Sequence, residues 1–292
     1  MPKRSLSPAE AFELRQALHL CTLDALMGAR RWEAGELIFQ GGTSLHLSHG
    51  SPRFSEDLDF LVRRDLKVET LRTQLQARLE AQPWIPRDLH LQVKAAKHDH
   101  NPVTFVVALS GEDVIGAVRV KLELWKTAPE AIAGVQASVA PVRLISGPAA
   151  GATAHVPTAE LEEIYADKVF ALAARAHLKP RDVFDLHWLV KSARVLPTVD
   201  PEAMRVRFAT YPNTTHAMWR DAALARIKVL QNSVREIQTD LQRWLPSTIP
   251  LSLRDVVEMV ANSAGALDEG LAALEALERP VPKRAASGAF AP

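Results

Sequence analysis

Apolar positions recur at three- and four-residue spacing in some stretches of the chain and alternate in others, and these two rhythms separate helices from strands. Ser7-Pro8-Ala9-Glu10 is a helix start, with proline in the first turn and an acid three residues after the serine. The helix is predicted to reach about residue 28. Leu37-Ile38-Phe39 is a short apolar strand running into Gly41-Gly42, and Thr43 to Leu47 reads as a short helical segment after that turn. From Arg53 onward the pattern alternates. Phe54, Leu58, Phe60 and Val62 fall on one face of an extended segment, and Ser55, Asp57 and Asp59 on the other. Leu66, Leu71, Leu75 and Leu79 return to helical spacing. His90–Lys97 and Val103–Leu109 are predicted as a hairpin around Asp99-His100-Asn101-Pro102. The next strand also alternates, with Val118, Val120, Leu122 and Leu124 against Arg119, Lys121, Glu123 and Trp125.

Gly147 to Thr153 is small and irregular, as a linker would be. Beyond it the chain reads as helical to its end. One helix is expected from Pro157-Thr158, with Glu160, Glu162 and Glu163 near its positive end. Others run from Arg181 to about Ser192 and around 201–210. A long helix carries the stripe Ala223, Ile227, Leu230, Val234, Ile237 and Leu241, and a last one spans about Leu253 to Leu277. The predicted class is α+β: an N-terminal α/β domain with a mixed sheet over 1–147, a C-terminal helical domain over 157–279, and a mobile tail over 280–292. A ligand is expected in the cleft between the two domains.

Composition narrows the function classes. The 292 residues are 47% hydrophobic, enough for a sizeable core, and the net charge of +1 gives no global attraction to nucleic acid. A single cysteine, Cys21, excludes an internal disulfide and fits a reducing compartment. Its helical neighbours Leu23 and Leu26 place it in a core. No apolar run reaches membrane-spanning length, and Met1-Pro2-Lys3-Arg4-Ser5 leads into a polar helix. A soluble cytoplasmic protein with no membrane partner is expected.

The chemistry concentrates at Asp57 and Asp59. Two carboxylates on one strand face repel each other unless a cation joins them. Mg²⁺ suits that role because it takes carboxylate oxygens and keeps positions open for phosphate. Glycines ahead of the strand let backbone amides approach a phosphate. The pattern reads as a site for metal-assisted nucleotide transfer.

At this point the chain resembles a known family. Gly41-Gly42-Thr43-Ser44-Leu45 followed by Arg53-Phe54-Ser55-Glu56-Asp57-Leu58-Asp59-Phe60 is similar to the AbiEii toxin nucleotidyltransferases, within the DNA polymerase β-type superfamily. A second block follows in the family's order: Glu162-Glu163-Ile164-Tyr165-Ala166-Asp167-Lys168, then Lys179-Pro180-Arg181-Asp182-Val183-Phe184-Asp185-Leu186. The resemblance spans about residues 37–190. It implies Asp57 and Asp59 as ligands of one or two Mg²⁺ ions, with Glu123 as third carboxylate, either base or metal ligand. It implies Gly41, Gly42, Thr43 and Ser44 around the phosphates, with Ser55 in reach. Lys168 shares a helix face with Leu161, Ile164 and Leu172, where a lysine must snorkel out or meet an anion. The resemblance favours the triphosphate, with Arg175 extending the positive lining. Asp182 and Asp185 lie one helical turn apart and are expected to orient Lys168 or Arg181, or to touch the nucleoside.

The implied activity is transfer of NMP from an NTP, with release of pyrophosphate, by the toxin of a bacterial toxin–antitoxin or phage-defence pair. The expected partners are an NTP, an RNA acceptor with the tRNA 3′ end foremost, and a cognate antitoxin. Two alternatives stay open: a protein acceptor for the nucleotide, or a non-catalytic nucleotide- or partner-binding module. Arg30-Arg31, Arg63-Arg64, Arg205/Arg207 and Arg220/Arg226/Lys228/Arg235 are the basic patches available for RNA. The pairs His46/His49 and His98/His100 lack the further ligands of a zinc site, and no P-loop is present.

Overall fold

The computed structural model describes residues 3–97, 100–144, 147–211 and 213–279. The tail expected over 280–292, and His98 with Asp99 in the hairpin loop, lie outside the described residues. In chain order the elements are β1 (Arg4–Ser5), α1 (Pro8–Ala29), β2 (Leu37–Gln40), α2 (Gly41–Leu47), β3 (Asp57–Arg63), a 3-10 turn (Val68–Leu71), α3 (Arg72–Glu80), β4 (His90–Lys97), β5 (Val103–Ser110), β6 (Val114–Ile115), β7 (Ala117–Thr127), α4 (Pro129–Ile132), β8 (Ala137–Arg143), β9 (Thr153–Ala159), α5 (Leu161–Ala174), α6 (Pro180–Lys191), α7 (Pro201–Thr210), α8 (His216–Asn232), α9 (Val234–Leu241) and α10 (Leu253–Glu278).

Seven strands form one mixed sheet in the order β4-β5-β7-β3-β2-β9-β8, in which β3 runs parallel to β7 and β2 parallel to β9. The alternation along each strand sends its two side-chain sets to opposite layers. Leu58, Phe60 and Val62 of β3 join Leu122 and Leu124 of β7 and Leu18 and Leu26 of α1 in one core. Ile38 and Leu61, from the opposite face, join α5, α6, α8 and α10 in a second core. The sheet is therefore sandwiched, with α1 and α3 on one side and the later helices on the other. Asp57 and Asp59, which alternate with Leu58 and Phe60, point toward the later helices.

Two expectations need correction. The chain beyond Gly147–Thr153 does not turn helical at once: Pro157 and Thr158 lie in β9, a central strand beside β2, and α5 starts only at Leu161. The stripe from Ala223 to Leu241 belongs to two helices, because α8 ends at Asn232 and α9 begins at Val234. Ser233 at the junction returns its hydroxyl to the Val229 carbonyl, 2.9 Å away. Cys21 is buried, and its sulfur accepts from the Trp84 indole N–H at 2.9 Å, as befits a packed thiol. Among the described residues no helix is long and apolar enough to cross a membrane.

Candidate active site

The parallel register of β3 and β7 assembles the acidic side of the site. Asp57 pairs with Lys121, Asp59 with Glu123, and Leu61 with Trp125. These residues share the sheet face that looks toward α5, α6 and the end of α7, and between those layers lies a cleft of about 430 Å³. Gly42, Ser55, Asp57, Asp59 and Glu123 line it from the sheet side, and Lys168, Arg175, Lys179, Arg181 and Asp182 from the helical side.

Gly41 and Gly42 are required by close approach. Gly41 has φ +80°, and a Cβ there would lie 2.7 Å from Asp59 Oδ2. A Cβ on Gly42 would meet the Arg53 guanidinium at 2.2 Å. Gly41→Ala is accordingly expected to destabilise the fold by about 1–3 kcal/mol and to displace the Asp59 carboxylate; urea unfolding of the variant measures it, and an unchanged midpoint would refute the close approach.

The carboxylates oppose one another. Burial, then the neighbouring Glu123 and Asp57, push the Asp59 carboxyl up to about 7 against the opposing pull of Lys168 and Arg175. Lys121 Nζ stands 4.0 Å from Asp57 Oδ1. Among the described residues no three His, Cys, Asp or Glu side chains converge as a ready-made metal-holding group. The donor set nevertheless fits a divalent cation. It is carboxylate oxygen only, Asp59 within it resists ionisation without added positive charge, and Gly41 leaves room against Asp59 that a side chain would fill.

Behind the cleft lies a buried charge network. Lys168 Nζ is 2.8 Å from Asp182 Oδ1 and 2.8 Å from Asp185 Oδ2. Burial works against the Lys168 ammonium, but these two carboxylates outweigh it and hold its pKa above the ordinary value. Arg175 bonds the second oxygen of Asp182. Arg53 grips Asp185 with two parallel bonds, Nε to Oδ1 at 2.6 Å and Nη2 to Oδ2 at 2.8 Å, and its Nη1 donates to the Phe54 carbonyl at 2.8 Å. Both carboxyls lie below the usual range although burial opposes this: Lys168 and Arg175 hold down Asp182, and Arg53 and Lys168 hold down Asp185. Three cations share two carboxylates here. The positive charge in excess faces the cleft, where Arg175, and then burial, lower the pKa of Lys179.

Thr43 and Ser44 lie elsewhere than expected, whereas Asp182 and Asp185 meet Lys168, one of their expected partners. Thr43 and Ser44 are fully buried beneath the turn and do not line the cleft. The Thr43 hydroxyl donates to the Asp57 carbonyl, and the Ser44 hydroxyl has no hydrogen-bond partner among the described residues. Asp185 lies behind the cleft, held by Arg53 and Lys168. Asp182 takes Lys168 and Arg175, whereas Arg181 stacks over Trp244 with its guanidinium carbon 4.2 Å from the ring centroid. Arg53, Lys121, Trp125, Lys179 and Tyr211 line the cleft without having been singled out as site residues. Arg53 stands inside the first motif block and Lys179 opens the last stretch of the second, and membership of those blocks is the signal that could find them.

Several members of the basic patches are paired within the chain. Arg30 and Arg63 pair with Glu36, Arg63 also with Asp65, Arg205 with Glu202, Arg207 with Glu163 and Arg220 with Glu278. Arg226 donates to the Arg175 carbonyl.

No curated protein matches the chain. Among solved structures, the nucleotidyltransferase toxin MenT4 from Mycobacterium tuberculosis H37Rv is similar in fold, with 18% identity and a TM-score of 0.51 over 91% of this chain and 85% of its own. JHP933 from Helicobacter pylori aligns over 94% of this chain and 100% of its own at 20% identity, with a TM-score of 0.49. The family model described as nucleotidyl transferase AbiEii toxin, type IV toxin–antitoxin system, matches residues 25–259 and so takes in the Gly-Gly turn, the carboxylates of β3 and β7, and the network on α5 and α6. This chain belongs to the AbiEii family of nucleotidyltransferase toxins.

Proposed function

We propose that the cleft transfers a nucleoside monophosphate from a Mg²⁺-bound NTP to the 3′ hydroxyl of an RNA, with tRNA as the acceptor. The observation that carries this reading is the polarity of the cleft, with carboxylates on the sheet side facing an excess of cations on the helical side. Asp57 and Asp59, with Glu123 beside them, would hold the metal. Mg²⁺ held there would offset the negative charge that develops in transfer.

The remaining steps fall to the chain's own residues. Arg175, Lys179 and Arg181 attract the triphosphate, and Lys168 is kept protonated for the same purpose by Asp182 and Asp185. Gly42 lets the ligand come close to the backbone, and the Ser55 hydroxyl lies in the same lining. The acceptor oxygen attacks the α-phosphorus, forming the new P–O bond. The bond between the α-phosphorus and the bridging oxygen breaks, and pyrophosphate leaves with that electron pair. Glu123, next to Asp59, would take the hydroxyl proton.

RNA as acceptor is supported by the half-exposed Lys121 and by Lys179 and Arg181 along the cleft. The choice of a tRNA 3′ end among RNA acceptors rests on the family resemblance. As a toxin-family member the chain is expected to have an antitoxin counterpart.

Incubation with Mg²⁺, total bacterial RNA and each α-labelled NTP in turn tests the proposal. Label on a tRNA-sized band is expected from at least one NTP. Label on protein alone would replace RNA by a protein acceptor, and no label from any NTP would refute the transfer reading under these conditions.

A further inference from the structure

We infer that the inner end of the cleft is a nucleobase subsite whose stacking wall is the Trp125 indole and the Tyr211 ring; this rests on the nucleotidyl-transfer reading above. Trp125 follows Glu123 by two residues on β7, so it shares that face and lies about 7 Å further along the strand. Its register partner is Leu61, which in turn pairs with Ile38, so this row of the sheet is apolar where the row of Asp59 and Glu123 is acidic. Tyr211 closes the same end from the helical side, its ring centroid 6.4 Å from that of Trp125 and tilted by 35°. Both rings are half-buried and line the cleft.

The wall is fixed in place. Phe170 backs Tyr211 at 5.0 Å between centroids, and the Tyr211 hydroxyl donates to Asp167 Oδ1 at 3.2 Å. With its hydroxyl committed, Tyr211 has its ring to present to a ligand. The cleft thus has charged walls that account for a triphosphate and a metal, and one aromatic wall that they do not require. An NTP has the matching division between phosphates and base. Because every base has a π-face, stacking of this kind recognises that a base is present without choosing among the four.

The test compares Mg²⁺-dependent binding of each NTP with that of ribose 5-triphosphate, which lacks the base, to the full chain by calorimetry. The parent protein is expected to bind NTPs about tenfold or more tightly than ribose 5-triphosphate. Trp125→Ala should erase that difference while holding ribose 5-triphosphate within about twofold of the parent, which also shows that the variant is folded. Trp125→Phe, keeping a ring, should retain most of the difference. Equal binding of both probes by the parent overturns the subsite, as does a Trp125→Ala variant that keeps the preference or weakens both probes alike. If the parent binds neither probe, the transfer reading falls and the subsite with it.

Discussion

Replacing Asp59 by asparagine is expected to lower nucleotidyl transfer by about a thousandfold or more in kcat/KM while leaving the fold at least as stable as the parent. The two effects have one cause. Asp59 is placed where burial, Glu123 and Asp57 resist its ionisation, so its carboxyl titrates at about 7. The folded protein therefore holds this proton more tightly than the unfolded chain, whose aspartates titrate near 3.9. Stability contributed by the group is present at low pH and is lost as the pH rises through about 7. At neutral pH and above, an uncharged amide removes that penalty, but it also removes the negative charge and one of the two oxygens expected to hold Mg²⁺. Asp57→Ala should lose transfer to a similar degree. Label transfer and urea unfolding, measured side by side near pH 8, distinguish this from simple misfolding. An Asp59→Asn variant that still transfers label at the parent rate would refute the metal-ligand assignment.

The second large effect is expected in stability. Asp185→Ala should cost about 3–5 kcal/mol, because it strips Arg53 of its bidentate partner while the guanidinium stays buried. Arg53 is 2% exposed and Asp185 fully buried, so water cannot take over for either. The double variant Arg53→Met with Asp185→Leu should recover most of the loss, since apolar side chains of similar size carry no desolvation penalty there.

The same network sets an acid limit. Asp182 and Asp185 titrate lower in the folded protein than in the unfolded chain. Their contribution is therefore complete above the unfolded value near 3.9 and disappears as the pH falls below it. The parent should lose stability on acidification more steeply than the double variant, as urea midpoints between pH 6 and pH 3 would show. An Asp185→Ala protein within about 1 kcal/mol of the parent would mean that the network contributes little to the fold.

How much of this was legible in the sequence depended on whether the signal was local. The alternation through Asp57, Leu58, Asp59 and Phe60 needed only the two-residue period of a strand, and the structure places those side chains in the two predicted layers. The hairpin of β4 and β5 and the helices α6, α7 and α10 were likewise carried by local periodicity and start signals. β9 was missed because Pro157 is also a helix-start residue. Its place in the sheet follows from pairing with the preceding strand β8 along its whole length and with β2 at Phe39 and Thr158, and β2 is far away in sequence.

Local pattern determined which side chains could form an acidic strand face and which apolar faces had to be buried. Tertiary structure decided what those groups meet. Lys168, expected to face an anion, has Asp182 and Asp185 as its first partners, and the Arg53–Asp185 pair joins residues 132 positions apart. Thr43 and Ser44 sit in the motif beside the glycines, yet the turn of α2 buries them and leaves Gly42 at the cleft. Glu123 stood out only through the family resemblance and Trp125 not at all, until register set one beside Asp59 and the other beside Leu61. The physical reason is general: a period of two or 3.6 residues fixes which way a side chain points, whereas its neighbour is set by long-range pairing and by the burial of charge, which depend on the whole fold.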